Sequence, residues 1–170
     1  MTERVEAPLL RAATPEDLPA ITAIYNATIP GRMVTAELQP VTVESRRAWF
    51  EAHQAVNRPI WVLDDAGVIA AWLSFDPFSP RAAYDGTAMI AVYVAESHRR
   101  RNLGRRLVTV AIEQAPAFRL HTLLGYIFAH NEPSLRLFEK LGFARWGHYP
   151  RVAVLDGIER DLIVVGRRVV

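Results

Sequence analysis

A chain of 170 residues, 51% hydrophobic and 22% charged, can bury one core and is expected to form a single domain over residues 1–170. The lack of cysteine excludes a disulfide framework and thiolate metal ligation, and no apolar run reaches the roughly 18 residues of a membrane helix. A formal net charge of only +2 argues against general nucleic-acid binding, and the acid-bearing start lacks a signal-peptide apolar core, so a cytoplasmic protein with no nucleic-acid and no membrane partner is expected.

Leu9 to Ala12 reads as a short strand. Thr14-Pro15-Glu16-Asp17 then starts a helix, with Thr14 as N-cap, Pro15 in the first turn and two acids beside the positive helix end. Leu18, Ile21, Ile24 and Tyr25 form its apolar stripe. Ile29 to Pro40 is a loop. A second helix runs from Val43, capped by Thr42, with Ala48, Trp49, Ala52 and Val56 on one side. Ile60–Leu63 and Val68–Phe75 are strands joined by the turn Asp64-Asp65-Ala66-Gly67. Asp76 to Gly86 is a loop with two prolines, and Thr87–Val94 is a further strand. A basic loop, His98 to Gly104, precedes a helix over Arg105–Ala115. Leu123–Phe128 is a strand, Glu132–Leu141 a short helix with Gly142 at its C′ position, and Phe143–Val154 and Ile158–Val165 a hairpin around Leu155-Asp156-Gly157. This order mixes hairpins with strand–helix crossovers, and predicts an α/β (α+β mixed) three-layer domain on a mixed sheet.

The segment Val92-Tyr93-Val94-Ala95-Glu96-Ser97-His98-Arg99-Arg100-Arg101-Asn102-Leu103-Gly104-Arg105 carries the most information. A strand enters a tight basic loop, and the loop opens a helix. That arrangement aims several N–H groups and the positive end of a helix at one point, which suits a phosphate. Gly104 allows close backbone approach, and Asn102 tolerates a left-handed conformation. Taken alone, the segment fits a solvated helix start equally well.

Arg99-Arg100-Arg101-Asn102-Leu103-Gly104 resembles the cofactor loop Q/R-x-x-G-x-G/A of the GCN5-related N-acetyltransferases, with Asn102 in place of the first glycine. Asn131-Glu132-Pro133-Ser134-Leu135-Arg136-Leu137-Phe138-Glu139-Lys140-Leu141-Gly142-Phe143 is similar to that family's N-x-x-S-x-x-L-Y-E-K-x-G-F helix. Trp49-Phe50, Gly147-His148-Tyr149-Pro150-Arg151 and Asp156-Gly157-Ile158-Glu159-Arg160-Asp161-Leu162 resemble its phosphinothricin and L-amino-acid N-acetyltransferase branch.

The resemblance implies a GNAT-like α/β/α fold with a splayed sheet. It implies acetyl-CoA as cosubstrate, no metal, and a small-molecule amine as acceptor, attacked in a ternary complex and possessed by an amino acid or analogue such as phosphinothricin or methionine sulfone. It also implies a homodimer. Val92, Tyr93 and Val94 would line the cofactor, one N–H polarising the thioester carbonyl. Arg99, Arg100, Arg101, Asn102, Leu103, Gly104 and Arg105 would take the pyrophosphate, and Asn131, Ser134 and Lys140 would help hold coenzyme A. Arg81 and Tyr84 correspond to substrate-holding positions, Arg81 as a carboxylate fork, and Phe75 and Tyr25 would be apolar walls.

Two positions depart from the pattern. Met89 stands where the branch commonly has Glu, and Phe138 where many members have Tyr, so the base and the acid are displaced or lost. Glu37, in the loop resembling the substrate loop, and His148 are the candidates for the proton-transfer role; each also fits a plain surface or strand role. An acyl-CoA-binding sensor without turnover is the reading from another class. No histidine or acid pair falls at convincing metal-ligand spacing.

Overall fold

The computed structural model describes residues 7–55 and 58–170. Val56, expected on the second helix, falls outside them. Seven strands form one sheet: β1 (Leu9–Ala12), β2 (Trp61–Asp65), β3 (Val68–Pro77), β4 (Thr87–Val94), β5 (Thr122–Phe128), β6 (Ala144–Leu155) and β7 (Ile158–Arg168). Their spatial order is β1-β2-β3-β4-β5-β7-β6. Every neighbouring pair is antiparallel except β4 and β5. The helices are α1 (Leu18–Thr28), α2 (Val43–Ala55), α3 (Leu103–Gln114) and α4 (Glu132–Lys140).

Strand alternation builds the three layers. On β3, Ala71, Leu73 and Phe75 pack with Leu103, Leu107 and Val108 of α3 and with Leu135 and Phe138 of α4. Trp72 faces the other way, onto Ile21, Ile24 and Tyr25 of α1 and Phe50 of α2. Successive strand residues point to opposite faces, so Ser74 and Asp76 share the face of Trp72. The helices therefore cover both sides, with α1 and α2 on one and α3 and α4 on the other.

Several boundaries differ from those read in the sequence. β3 continues through Asp76 and Pro77 because β4 pairs with it as far as Pro77↔Ala88. Pro77 needs no ladder donor at a strand end. α3 begins at Leu103 rather than Arg105, and β7 reaches Arg168 through its pairing with β5. Gly142 is left-handed, φ 81°, as a C′ residue should be.

The parallel pair β4–β5 decides where a ligand can enter. Its register holds only for Thr87↔Thr122, Ala88↔Leu123 and Met89↔Leu124. Beyond Met89 the strands separate, and β4 keeps β3 as its partner up to Ala71↔Val94. The backbone groups of residues 90–94 that face β5 thus open into a gap. Gly125 lies where the gap begins. A Cβ there would stand 3.2 Å from Val165 Cγ2 and 3.3 Å from Phe138 Cε1, so glycine lets the Phe138 ring sit against β5.

Candidate active site

The gap holds a cavity of about 440 Å³. Its walls come from Met89–Tyr93 of β4, Gly125–Phe128 of β5, Asn131, Ser134 and Phe138 at α4, Thr35 of the 29–40 loop, and Asp76 of β3. Among these lining residues Asp76 is the sole carboxylate.

The loop between β4 and α3 is built for anion contact. Arg100 and Asn102 are both left-handed, with φ 63° and 58°. Asn102 is the N-cap of α3, so the N–H groups of Leu103, Gly104 and Arg105 have no helical acceptor. The positive end of α3 lies at the same place. A Cβ on Gly104 would meet its nearest neighbours at 3.6 Å and 3.7 Å, an ordinary contact. The chain's own packing therefore does not require a glycine here, and the absent side chain leaves the helix amides open to a ligand. These features fit a pyrophosphate, and the freed β4 edge fits an extended pantetheine chain. Of the arginines, Arg100 and Arg105 are exposed, and Arg99 makes a loose surface pair with Glu96 at 3.7 Å. Arg101 differs from expectation. It binds Asp65 at 2.7 Å, and His98 Nε2 lies 3.3 Å from the same carboxylate. Arg101 thus ties the loop to the β2–β3 turn, and the pair holds the Asp65 carboxyl below its usual range.

At the opposite end, Asn131 organises the cavity floor. It is 6% exposed. Its Oδ1 accepts from the Ser134 N–H at 3.3 Å, capping α4, and its Nδ2 donates to the Met33 carbonyl at 3.0 Å. His130 Nε2 meets the Arg32 carbonyl at 2.8 Å. Arg32 in turn grips Asp156, at the β6–β7 turn, through two hydrogen bonds. The 29–40 loop is therefore fastened from both sides. Thr35 faces the cavity, and its Oγ1 is 2.7 Å from the Tyr25 hydroxyl.

Other expected site residues lie elsewhere. Phe75 is fully buried against Trp61 and Phe118; strand alternation turns it away from the cavity, into the α3 face. Tyr25 stands one layer behind the wall, edge-on to Tyr93 at 5.3 Å. Glu37 is exposed and outside the cavity lining, its N–H turned back onto Thr35 Oγ1. His148 sits on the edge strand β6, 2.7 Å from Asp161 and largely exposed. Arg81 and Tyr84 occupy the exposed loop before β4, with Tyr84 edge-on to Phe78. Lys140 is exposed in the last turn of α4, where it complements the helix dipole. Phe138 lines the cavity, 4% exposed and edge-on to Phe143.

Asp76 escaped the sequence reading, which placed it in a loop. Its Oδ1 accepts from Trp49 Nε1 at 2.9 Å and stands 3.3 Å from His53 Nε2; its Oδ2 accepts from Ser74 Oγ at 2.6 Å. Desolvation works to raise its pKa, but the charge contact with His53 and the bonds from Ser74 and Trp49 outweigh it and hold the carboxyl below its usual range. Burial works to lower the pKa of His53, and the Asp76 pairing overcomes it, leaving the imidazole above its usual value. The alternation Trp72-Ser74-Asp76 was the available signal.

A splayed parallel pair beside a left-handed basic loop that opens a helix suits an acyltransferase that uses an acyl-coenzyme A donor. The chain belongs to the acetyltransferase (GNAT) family, whose model matches residues 20–143. It is 46% identical over 159 residues to "Putative phosphinothricin acetyltransferase YwnH" of Bacillus subtilis, covering 93% of this chain and 97% of the relative. It is 34% identical over 154 residues to the L-methionine sulfoximine/L-methionine sulfone acetyltransferase of Pseudomonas paraeruginosa, covering 90% of each. Salmonella typhimurium yncA, solved with its cofactor acetyl-CoA, superposes with a TM-score of 0.92 at 29% identity, covering 97% of this chain and 95% of that one. The protein is an acetyl-CoA-dependent N-acetyltransferase.

Proposed function

We propose that the acceptor is the primary amine of a small carboxylate-bearing molecule, an amino acid or analogue such as phosphinothricin or methionine sulfone. The observation that carries this reading is the cavity between the splayed strands, where the open edge of β4 meets a face bearing one carboxylate. The names of the relatives support the substrate class.

In this reading Arg99, Arg100 and the amides of Asn102 to Arg105 hold the pyrophosphate, and Asn131 and Ser134 flank the pantetheine. The β5-facing N–H groups of Val92 to Val94 hold the thioester carbonyl and take up the negative charge that develops on its oxygen. The amine attacks directly, with both substrates bound. Phe138 has no proton to give, and a thiolate, with its thiol-like pKa, leaves without one from this ring. Arg81, on the loop leading into β4, is offered for the acceptor's carboxylate. The same reading makes the protein a cytoplasmic homodimer that needs no metal. Exposed Trp146, Tyr149, Val152 and Val154 on the edge strand β6 support a self-association face.

Coenzyme A release, followed with acetyl-CoA and a panel of amino acids, their analogues and matching decarboxylated amines, tests the assignment. Turnover on the carboxylated amines, with a raised KM in Arg81→Ala, is the expected result. Turnover restricted to amines without a carboxylate contradicts it.

A further inference from the structure

We propose that Asp76 is the catalytic carboxylate of this site: it receives the acceptor's ammonium group and hands the proton lost on activation to His53, which stands behind it on α2. The inference rests on the acyl-transfer reading above and names the residues that make the amine nucleophilic.

The geometry carries it. Asp76 and Met89 are register partners on β3 and β4, so their side chains lie next to each other on the α1/α2 face. Met89 has no titratable proton. Asp76 is therefore the one acid on the cavity wall. Its Oδ2 accepts a single bond, from Ser74, and retains lone-pair capacity for an ammonium donor. Its Oδ1 is fixed from behind by Trp49 and approached by His53 Nε2 at 3.3 Å.

His53 is set to act as a proton store. It is 4% exposed. Its Nδ1 lies 2.8 Å from the Trp49 carbonyl, and a carbonyl only accepts, so Nδ1 carries a proton in both charge states. The second proton can therefore sit only on Nε2, the atom facing Asp76. That atom is buried without a hydrogen bond of good geometry. The carboxylate alone holds substrate charge but is a weak base; the imidazole, with a pKa above its usual value, completes the transfer.

The step balances. The ammonium gives one proton through Asp76 to His53 Nε2. The neutral amine forms the C–N bond at the thioester carbon, and the C–S bond breaks. The second amine proton goes to the departing thiolate, and His53 returns its proton to solvent. One ammonium and one thioester yield an amide, a thiol and a proton. The groups facing the pair are the Trp49 indole and, over the Tyr25, Trp49 and Trp72 rings, the Arg46 guanidinium from α2. Tyr93 from β4 and Tyr25 from α1 complete the surroundings.

The test compares the parent with Asp76→Asn, His53→Gln and the double variant Asp76→Asn/Met89→Glu. It measures acetyl-CoA Kd by calorimetry, and kcat and KM for one amine across pH. Asp76→Asn is expected to keep its acetyl-CoA Kd within about twofold while amine kcat/KM falls about 100-fold. Met89→Glu, which sets a carboxylate beside the lost one, is expected to recover about tenfold of that loss. In His53→Gln the acidic limb of the kcat profile should move. A folded Asp76→Asn within about threefold of the parent overturns the assignment. So does a His53→Gln profile that superimposes on the parent's, which decides the matter even where Asp76→Asn fails to bind acetyl-CoA. A parent that binds acetyl-CoA and acetylates no amine removes the acyl-transfer reading and this assignment with it; an active parent with an indifferent Asp76→Asn removes this assignment alone.

Discussion

Asn102 sets the backbone angle of the proposed pyrophosphate loop. At φ 58° a branched side chain would clash, whereas asparagine tolerates the left-handed region and glycine takes it freely. Asn102→Gly is therefore expected to leave acetyl-CoA affinity within about threefold, and Asn102→Val to weaken it about tenfold and cost about 1–2 kcal/mol of stability, as calorimetry and denaturant melts would read. Gly125 is constrained by space instead. The Cβ of Gly125→Ala would press on Phe138 and Val165, an overpacking worth about 1–3 kcal/mol, seen as a lowered Tm. The His53–Asp76 pair adds a pH signature to stability. His53 has a raised pKa, so its contribution is complete below the usual 6.5 and is lost as pH climbs through the raised value. Asp76 has a lowered pKa, so its contribution is complete above the usual 3.8 and is lost as pH falls through the lowered value. The Tm gap between the parent and His53→Gln should thus be widest between pH 3.8 and 6.5 and shrink on both sides. A gap independent of pH would remove the ion pair from the account.

At the scale of elements, local signals and long-range pairing divide the legibility of the fold. The helical turn after Thr14, which is a 3-10 turn over Pro15–Asp17 with α1 starting at Leu18, the turn at Asp64–Gly67 and the glycine after α4 could be read in the sequence because neighbours along the chain produce them. The splay of β4 from β5 could not, since it arises from partners far apart in the chain. Asp76 shows the consequence. Pro77 marks a strand end, and a reading along the chain cut β3 two residues too early; only the β4 register reveals that Asp76 is still in the strand and facing the cavity. Arg101 is similar: its partner Asp65 lies 36 positions away, and a basic run cannot announce which of its members is already paired. The left-handed basic loop before α3 was legible because its geometry is local, and the wall that bears Asp76 was not, because α2, β3 and the 29–40 loop assemble it. Asn131 ties the 29–40 loop to α4. Asn131→Ala removes the α4 cap and the bond to the Met33 carbonyl, with an expected loss of about 1–2 kcal/mol in stability and a weakened acetyl-CoA Kd, as calorimetry would read.

Across the whole molecule, the sheet divides the labour. In the proposed reading its α3 face and the β4–α3 loop present amides and positive charge to an anionic cosubstrate, while its α1/α2 face presents Asp76 and an aromatic cluster in which Trp72 stacks on Tyr93 at 4.5 Å. The cavity where the faces meet is where an acetyl group can pass between them. Steady-state coenzyme A release with acetyl-CoA and the amino-acid panel, run beside calorimetric titration of acetyl-CoA, tests this most directly. Binding together with turnover on a carboxylate-bearing amine is the predicted result. Binding without turnover on any amine would contradict it.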